Sequence, residues 1–212
     1  MSFLKNIEWR RAVKSFAVTN PLPDIEPILQ AAINAPSSFG IQPWKIIVVT
    51  DEGLKEKLAP MMHNQPQVNL CSHLLVFCAR ADFYDRIKEY VEKTQAPAEL
   101  ESMIRVFMAG LSNPVAWAKH QAYLALGFAL AAATELRIAS CPMEGFSADG
   151  VASVLNLPPT ILPAVVLAIG NEDLTHTLPP RFRFERDDLV EEPLPHKSKY
   201  RSVTPMRKRK TG

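Results

Sequence analysis

Four short segments of this chain carry the residue types that could do chemistry. Near the start, Arg10, Arg11 and Lys14 place three cations within five residues. Such a cluster is most often a solvated helix end, and its chemical alternative is a receptor for an anion. The second segment, Ala35 to Trp44 (APSSFGIQPW), offers the hydroxyls of Ser37 and Ser38 and bare backbone at Gly40 between Pro36 and Pro43. Taken alone it is a serine cap and a turn; as chemistry, it is a loop that grips something polar. The third, Pro142, Met143, Glu144, Gly145 and Phe146, is a strand ending in a glycine turn, where backbone can approach a ligand closely. The fourth, Leu178 to Arg183, contributes Arg181 and Arg183 behind Pro179 and Pro180.

Other chemistries are absent from the sequence. No G-x-G-x-x-G follows a strand, and with eight glycines in all there is no obvious dinucleotide phosphate turn. H-E-x-x-H, G-x-S-x-G and P-loop patterns are missing, and His63, His73, His120, His176 and His196 are too scattered to suggest a metal cluster. Cys71, Cys78 and Cys141 are odd in number and never spaced C-x-x-C, so neither a disulfide framework nor a zinc site is indicated, and a reducing cytoplasm is the simplest location.

The elements that must position these segments follow from periodicity. The 212 residues, 47% hydrophobic and 22% charged, predict one globular domain over 1–195, and a net charge of +2 is too small to imply a nucleic-acid partner. Asp24 to Ala35 has helical spacing with Asp24 as cap. Lys45 to Thr50, His73 to Arg80, Ile138 to Met143 and Pro163 to Ile169 read as buried strands. Glu52 to Met62, Phe83 to Lys93, Pro97 to Ala109 and Ala148 to Leu155 read as helices, with Leu100, Met103, Ile104 and Phe107 on one face of the third. Strands alternating with helices predict an α/β or α+β sheet covered on both faces. The longest helix, Val115 to Leu136, is apolar on nearly every side from Ala122 onward. That run is shorter than the roughly 20 residues of a membrane span, so it predicts a buried helix partly covered by a second subunit. No secretory signal is expected at the start. Residues 196–212 are basic and without periodicity, which predicts an extended or disordered tail.

Together the four segments resemble the nitroreductase family, flavin mononucleotide (FMN) enzymes of the nitroreductase and dihydropteridine reductase type. The resemblance runs in order from about Ile7 to Arg183. It implies a mixed central sheet flanked by helices and an intimate homodimer with FMN at the interface. By resemblance, Arg10, Arg11 and Ala12 hold the phosphate and ribityl chain, Lys14 reaches the carbonyl edge of the ring, and Arg181 and Arg183 close on the phosphate. Serine is common in the family where Ala12 stands. Asn64 and Gln67 match a pair at the pyrimidine edge, where lysine is common at the second position; a neutral Gln67 leaves Lys14 as the main cation. Pro36, Ser37, Ser38 and Gly40 resemble the partner-subunit loop that crosses the flavin, usually with Asn where Gly40 stands. Pro142, Met143, Glu144 and Gly145 lie beneath the ring, the amide of Glu144 or Gly145 donating to flavin N5. Phe107 aligns with an aromatic of the substrate pocket. The implied activity moves two electrons from NAD(P)H, bound transiently, through N5 to nitroaromatic, quinone or related small-molecule acceptors by a ping-pong mechanism. The competing reading is a binding protein whose basic tail, Arg207 to Lys210, attaches it to nucleic acid or acidic partners.

Overall fold

The structure is a computed structural model that describes residues 3–18 and 23–192. The chain divides into two compact units, Met1–Leu178 and Pro179–Gly212. The predicted tail, 196–212, lies outside the described residues.

In the first unit, the strands β1 (Phe16–Ala17), β2 (Trp44–Val49), β3 (His73–Arg80), β4 (Ala139–Met143) and β5 (Ile161–Glu172) form one sheet. Its order is β1-β5-β3-β2, with β4 also paired to β5. Every one of these pairs is antiparallel, which makes the mixed fold α+β. β3 is apolar along its length because both faces are covered. Leu74, Val76 and Cys78 join Val166 and Ala168 of β5 in one core, while Leu75 and Phe77 join Val165, Leu167 and Ile169 in the other.

The helices are α1 (Phe3–Trp9), α2 (Glu26–Ile33), α3 (Glu52–Leu58), α4 (Pro66–Leu70), α5 (Phe83–Thr94), α6 (Ala98–Ala109), α7 (Pro114–Glu135) and α8 (Ala148–Val154). Leu58 of α3, Val68 of α4 and Val151 of α8 fill the first core; Ile28 and Ala32 of α2 and Ala122, Ala125, Ala129 and Ala133 of α7 fill the second. Alanines along α7 let it lie close to the sheet. Asn113 starts that helix by accepting from the Ala116 amide at 2.9 Å, and Ser147 starts α8 by accepting from the Gly150 amide at 3.1 Å. A small third cluster, Ile41, Ile87, Ile104 and Met108, joins α5 and α6 to the loop before β2.

Several details differ from the sequence reading. β2 is an edge strand with Lys45 and Val48 exposed, since apolar content alone does not say whether a second neighbour exists. The inward side of α6 is Ile104 and Met108, with Leu100 packed against them; Met103 and Phe107 are exposed. Ile25, not Asp24, is the cap of α2, although Asp24 Oδ1 still accepts from the Glu26 amide at 2.9 Å. α1, α4 and β1 were too short for periodicity to show.

Gly170 of β5 sits where a Cβ would come within 2.8 Å of the buried Phe16 ring and 3.3 Å of the Ser72 amide. Gly170→Ala should therefore destabilise the fold by about 1 to 3 kcal/mol through overpacking. Urea unfolding measures this, and an unchanged midpoint would show that the Phe16 contact yields freely.

Candidate functional site

The basic segment begins where α1 ends, the Arg10 amide donating to the Asn6 carbonyl at 3.2 Å, and continues as extended chain. α1 stops at Trp9, and the chain then runs beside β4: Ala12 bridges Ser140 in parallel, and the Val13 amide donates to the Ser140 carbonyl at 3.1 Å. Further on, Ser15 Oγ donates to Asp173 Oδ2 at 3.0 Å and the Asp173 amide donates to the Ser15 carbonyl at 3.1 Å. Val13 and Phe16 are buried anchors, and the segment leaves Ala12 and Lys14 exposed. Arg10 and Arg11 line a cleft of about 280 Å³ together with Trp9, Ser140, Glu172 and His176. The cleft wall is braced from behind. The Arg137 guanidinium lies 4.8 Å over the Trp9 ring, and Asn6 donates to Glu135 Oε2 at 2.8 Å while accepting from Arg137 Nη2 at 2.6 Å. Burial pushes the Cys141 thiol up, and the nearby charges of Lys14 and Arg10 pull it partly back, so the positive field of the segment reaches β4.

At the end of β4, Met143 is buried while Glu144 and Gly145 are exposed. Outside the strand ladder, neither of their amides donates to an acceptor among the described residues. A Cβ on Gly145 would find ordinary contacts, Gln65 Nε2 at 3.5 Å and His63 at 3.6 Å. Packing within the fold therefore does not demand glycine there. The turn is held through Gln65, whose Nε2 donates to the Gly145 carbonyl at 2.9 Å. Gln67 Nε2 donates in turn to Gln65 Oε1 at 3.0 Å and to Met143 Sδ at 3.1 Å. Gln67 was expected at an open ring edge; it is 1% exposed, packed beneath Met143, because the short α4 turns it inward. Asn64 is exposed and lies with His63 in the left-handed region, at φ 51° and 55°. From the other side Tyr123 of α7 donates to Glu144 Oε1, and burial followed by that bond holds the phenol well above its ordinary range.

The serine loop is held by other elements. Ser37 Oγ accepts from the Gln42 amide at 2.9 Å, which shapes the loop and leaves the hydroxyl hydrogen to donate. The Ser38 amide donates to Gln121 Oε1 of α7 at 2.9 Å. Phe39, Gly40 and Gln42 have φ of 57°, 74° and 47°, an αL turn that only Gly40 adopts without cost. The Phe39 ring meets Phe107 edge-on at 5.2 Å, and Phe107 meets Trp117 at 6.0 Å. Phe107 thus forms the exposed end of an aromatic group, with the half-buried Phe39 and Trp117, that carries the loop. Arg86 Nε donates to the Ile41 carbonyl at 2.8 Å, and Arg86 and Arg80 both pair with Glu89, at 2.8 and 3.1 Å. Pro36 is exposed beside them, and Pro142 is half-buried in β4.

Arg181 and Arg183 belong to the second unit, where both are exposed. Arg183 Nη1 donates to the Phe182 carbonyl at 2.6 Å, and Phe182 stacks edge-on with Phe184 at 5.0 Å. The short helix α9 (Arg186–Leu189) follows, started by reciprocal bonds between Glu185 and Asp188. Sequence reasoning missed Gln65, Tyr123, Ser140 and His176. Each sat inside a stretch read for its apolar pattern or for a neighbouring motif, and only the fold brings them to the segments above.

The fold is shared with solved structures. A protein named as the nitroreductase ydfN from Bacillus subtilis superposes with a TM-score of 0.79 at 22% identity, over 90% of this chain and 98% of that one. A protein named as a nitroreductase, in complex with FMN, from Exiguobacterium sibiricum gives 0.77 at 22% identity, over 91% and 97%. A Staphylococcus haemolyticus protein named as an NAD(P)H nitroreductase is 32% identical over 193 residues, 80% of this chain and 88% of its own. The description "Nitroreductase family" matches residues 7–171, and the chain belongs to that family of oxidoreductases. Among the described residues no helix is long and apolar enough to cross a membrane.

The charge cluster behind the serine loop gives a pH prediction. Lys93, then Arg86, hold the Glu89 carboxyl down from its usual 4.5 to about 2, and Arg80 holds Asp82 down as well. A depressed carboxylate stabilises the fold fully above its unfolded value and loses that contribution as pH falls through the folded one. Glu89→Gln should therefore be less stable than wild type at neutral pH, with the gap closing as pH is lowered from 4.5 towards 2. Thermal melts across that range decide it; a gap that is constant with pH would remove the charge from the explanation.

Proposed function

We propose that this chain is an FMN-dependent reductase that takes two electrons from NAD(P)H and passes them, in alternating half-reactions, to a nitroaromatic, quinone or related acceptor. The observation that carries the reading is the meeting of Arg10, Arg11 and Lys14 with β4, after whose end the Glu144 and Gly145 amides donate to no acceptor among the described residues. The donor set fits the cofactor. Two guanidiniums on a cleft suit a phosphate, a third cation suits a ring edge that becomes negative on reduction, and backbone donors suit a ring nitrogen. FMN, when bound, supplies the two-electron chemistry at its N5. Arg10 and Arg11 would hold the phosphate, Lys14 and Asn64 the ring edge, and Glu144 or Gly145 would donate from backbone; no side chain needs to act as acid or base. Gln67 would support the turn from beneath rather than touch the ring. The staphylococcal relative's name supports NAD(P)H as donor, and the Exiguobacterium complex supports FMN.

Apolar surface left uncovered supports a homodimer. Leu124 and Phe128 of α7 are exposed in the single chain, with Gly127 between them. A second copy over this face would bury them and bring its own Pro36, Ser37, Ser38 and Gly40 loop, and Phe107, towards the flavin. The test is light scattering with flavin absorbance on the purified protein: a yellow dimer carrying two FMN is expected. Colourless protein that takes up no added FMN would refute the reductase reading.

Arg181 and Arg183 are proposed to close on the phosphate. Replacing both by Ala should weaken FMN by at least about tenfold, since bonds to charged groups contribute roughly 1.5 to 3 kcal/mol each, while riboflavin binding stays unchanged. Equal weakening of both flavins would place these arginines elsewhere.

A further inference from the structure

We propose that the Ser140 hydroxyl is a ligand of the FMN phosphate, donating from the floor of the Arg10–Arg11 cleft; this rests on the FMN reading above. Ser140 is 2% exposed, and its Oγ has no hydrogen-bond partner among the described residues. A buried hydroxyl left unpaired destabilises a fold, and native chains keep such groups where a ligand or water satisfies them. Its backbone leaves it little freedom to find another partner. Ser140 pairs with Ile169 across β4 and β5 and with Ala12 on the other side, and its carbonyl takes the Val13 amide at 3.1 Å. The residue is therefore clamped from both flanks, and it lines a cleft whose other polar lining includes Arg10 and Arg11.

The chemistry of that cleft selects an anion with several acceptor oxygens. Two guanidiniums against the one carboxylate of Glu172 leave it net positive, and guanidiniums and a hydroxyl can all donate. A phosphate monoester accepts from all of them, and a bond from a hydroxyl to an ionised oxygen is among the stronger kinds. Ala12, the bridge partner of Ser140, has no hydroxyl to offer. In this chain the neutral donor is supplied from the adjacent strand.

The experiment compares FMN with riboflavin, which differ only in the phosphate, by fluorescence titration of the apoprotein. Ser140→Ala should weaken FMN about tenfold, equivalent to about 1.4 kcal/mol, leave riboflavin unchanged, and leave the melting temperature of the apoprotein the same or higher. A serine with a purely structural role would lower the melting temperature and weaken both flavins alike. Ser140→Cys, which keeps the size but not the strong donor, should show the same phosphate-selective loss, and Ser140→Thr should retain most of the affinity. Unchanged FMN affinity in Ser140→Ala or Ser140→Cys, or equal weakening of both flavins, overturns the proposal while wild-type FMN uptake leaves the reductase reading intact. Wild-type protein that binds neither flavin overturns both.

Discussion

The pairing of β3 with β5 is the constraint on which the rest of this molecule depends. The two strands run antiparallel from His73 opposite Ile169 to Arg80 opposite Ile161, with a bulge between Phe77 and Cys78. Because successive side chains point to opposite faces, that one ladder sorts the apolar residues into two cores. Helices α3, α4 and α8 must then lie on one side and α2 and α7 on the other. A slip of one residue would exchange the two sets and expose both, so the register is strongly specified.

The candidate site is built where that sheet would otherwise end. β4 needs a neighbour on its free side, and the stretch from Ala12 to Val13 supplies one. Edge protection and the proposed cofactor site thus share residues: the backbone that completes the sheet brings Arg10, Arg11 and Lys14 to it. The departures from ordinary packing collect nearby. An unpaired hydroxyl on Ser140, amides after Met143 that donate to no acceptor among the described residues, and left-handed residues at His63 and Asn64 are each unfavourable or neutral for folding alone. These are observations on which the proposed FMN site rests.

α7 braces two of the candidate segments. Gln121 holds the Ser38 amide and Tyr123 holds Glu144, two residues apart on one helix. Polar groups on an otherwise apolar helix are spent on the serine loop and on the glycine turn, which gives both a common reference along a rigid rod.

The sequence by itself determined the main strands and long helices, the four chemical segments and the family resemblance. These depend on local periodicity and on residue types whose chemistry does not change with context. His73 to Arg80 is apolar enough to be a strand anywhere, and Asn113 with Pro114 starts a helix by its own geometry. Only the tertiary structure decided that the basic segment runs from the end of α1 along the edge of β4, that Gln67 is turned beneath Met143, and that Ser37 Oγ accepts from the Gln42 amide. It alone brought Ser140, Gln65 and Tyr123 to the site. The reason is physical: a side chain's partner across a ladder or from another helix is fixed by long-range register and packing, and nothing in its own neighbourhood along the chain carries that information.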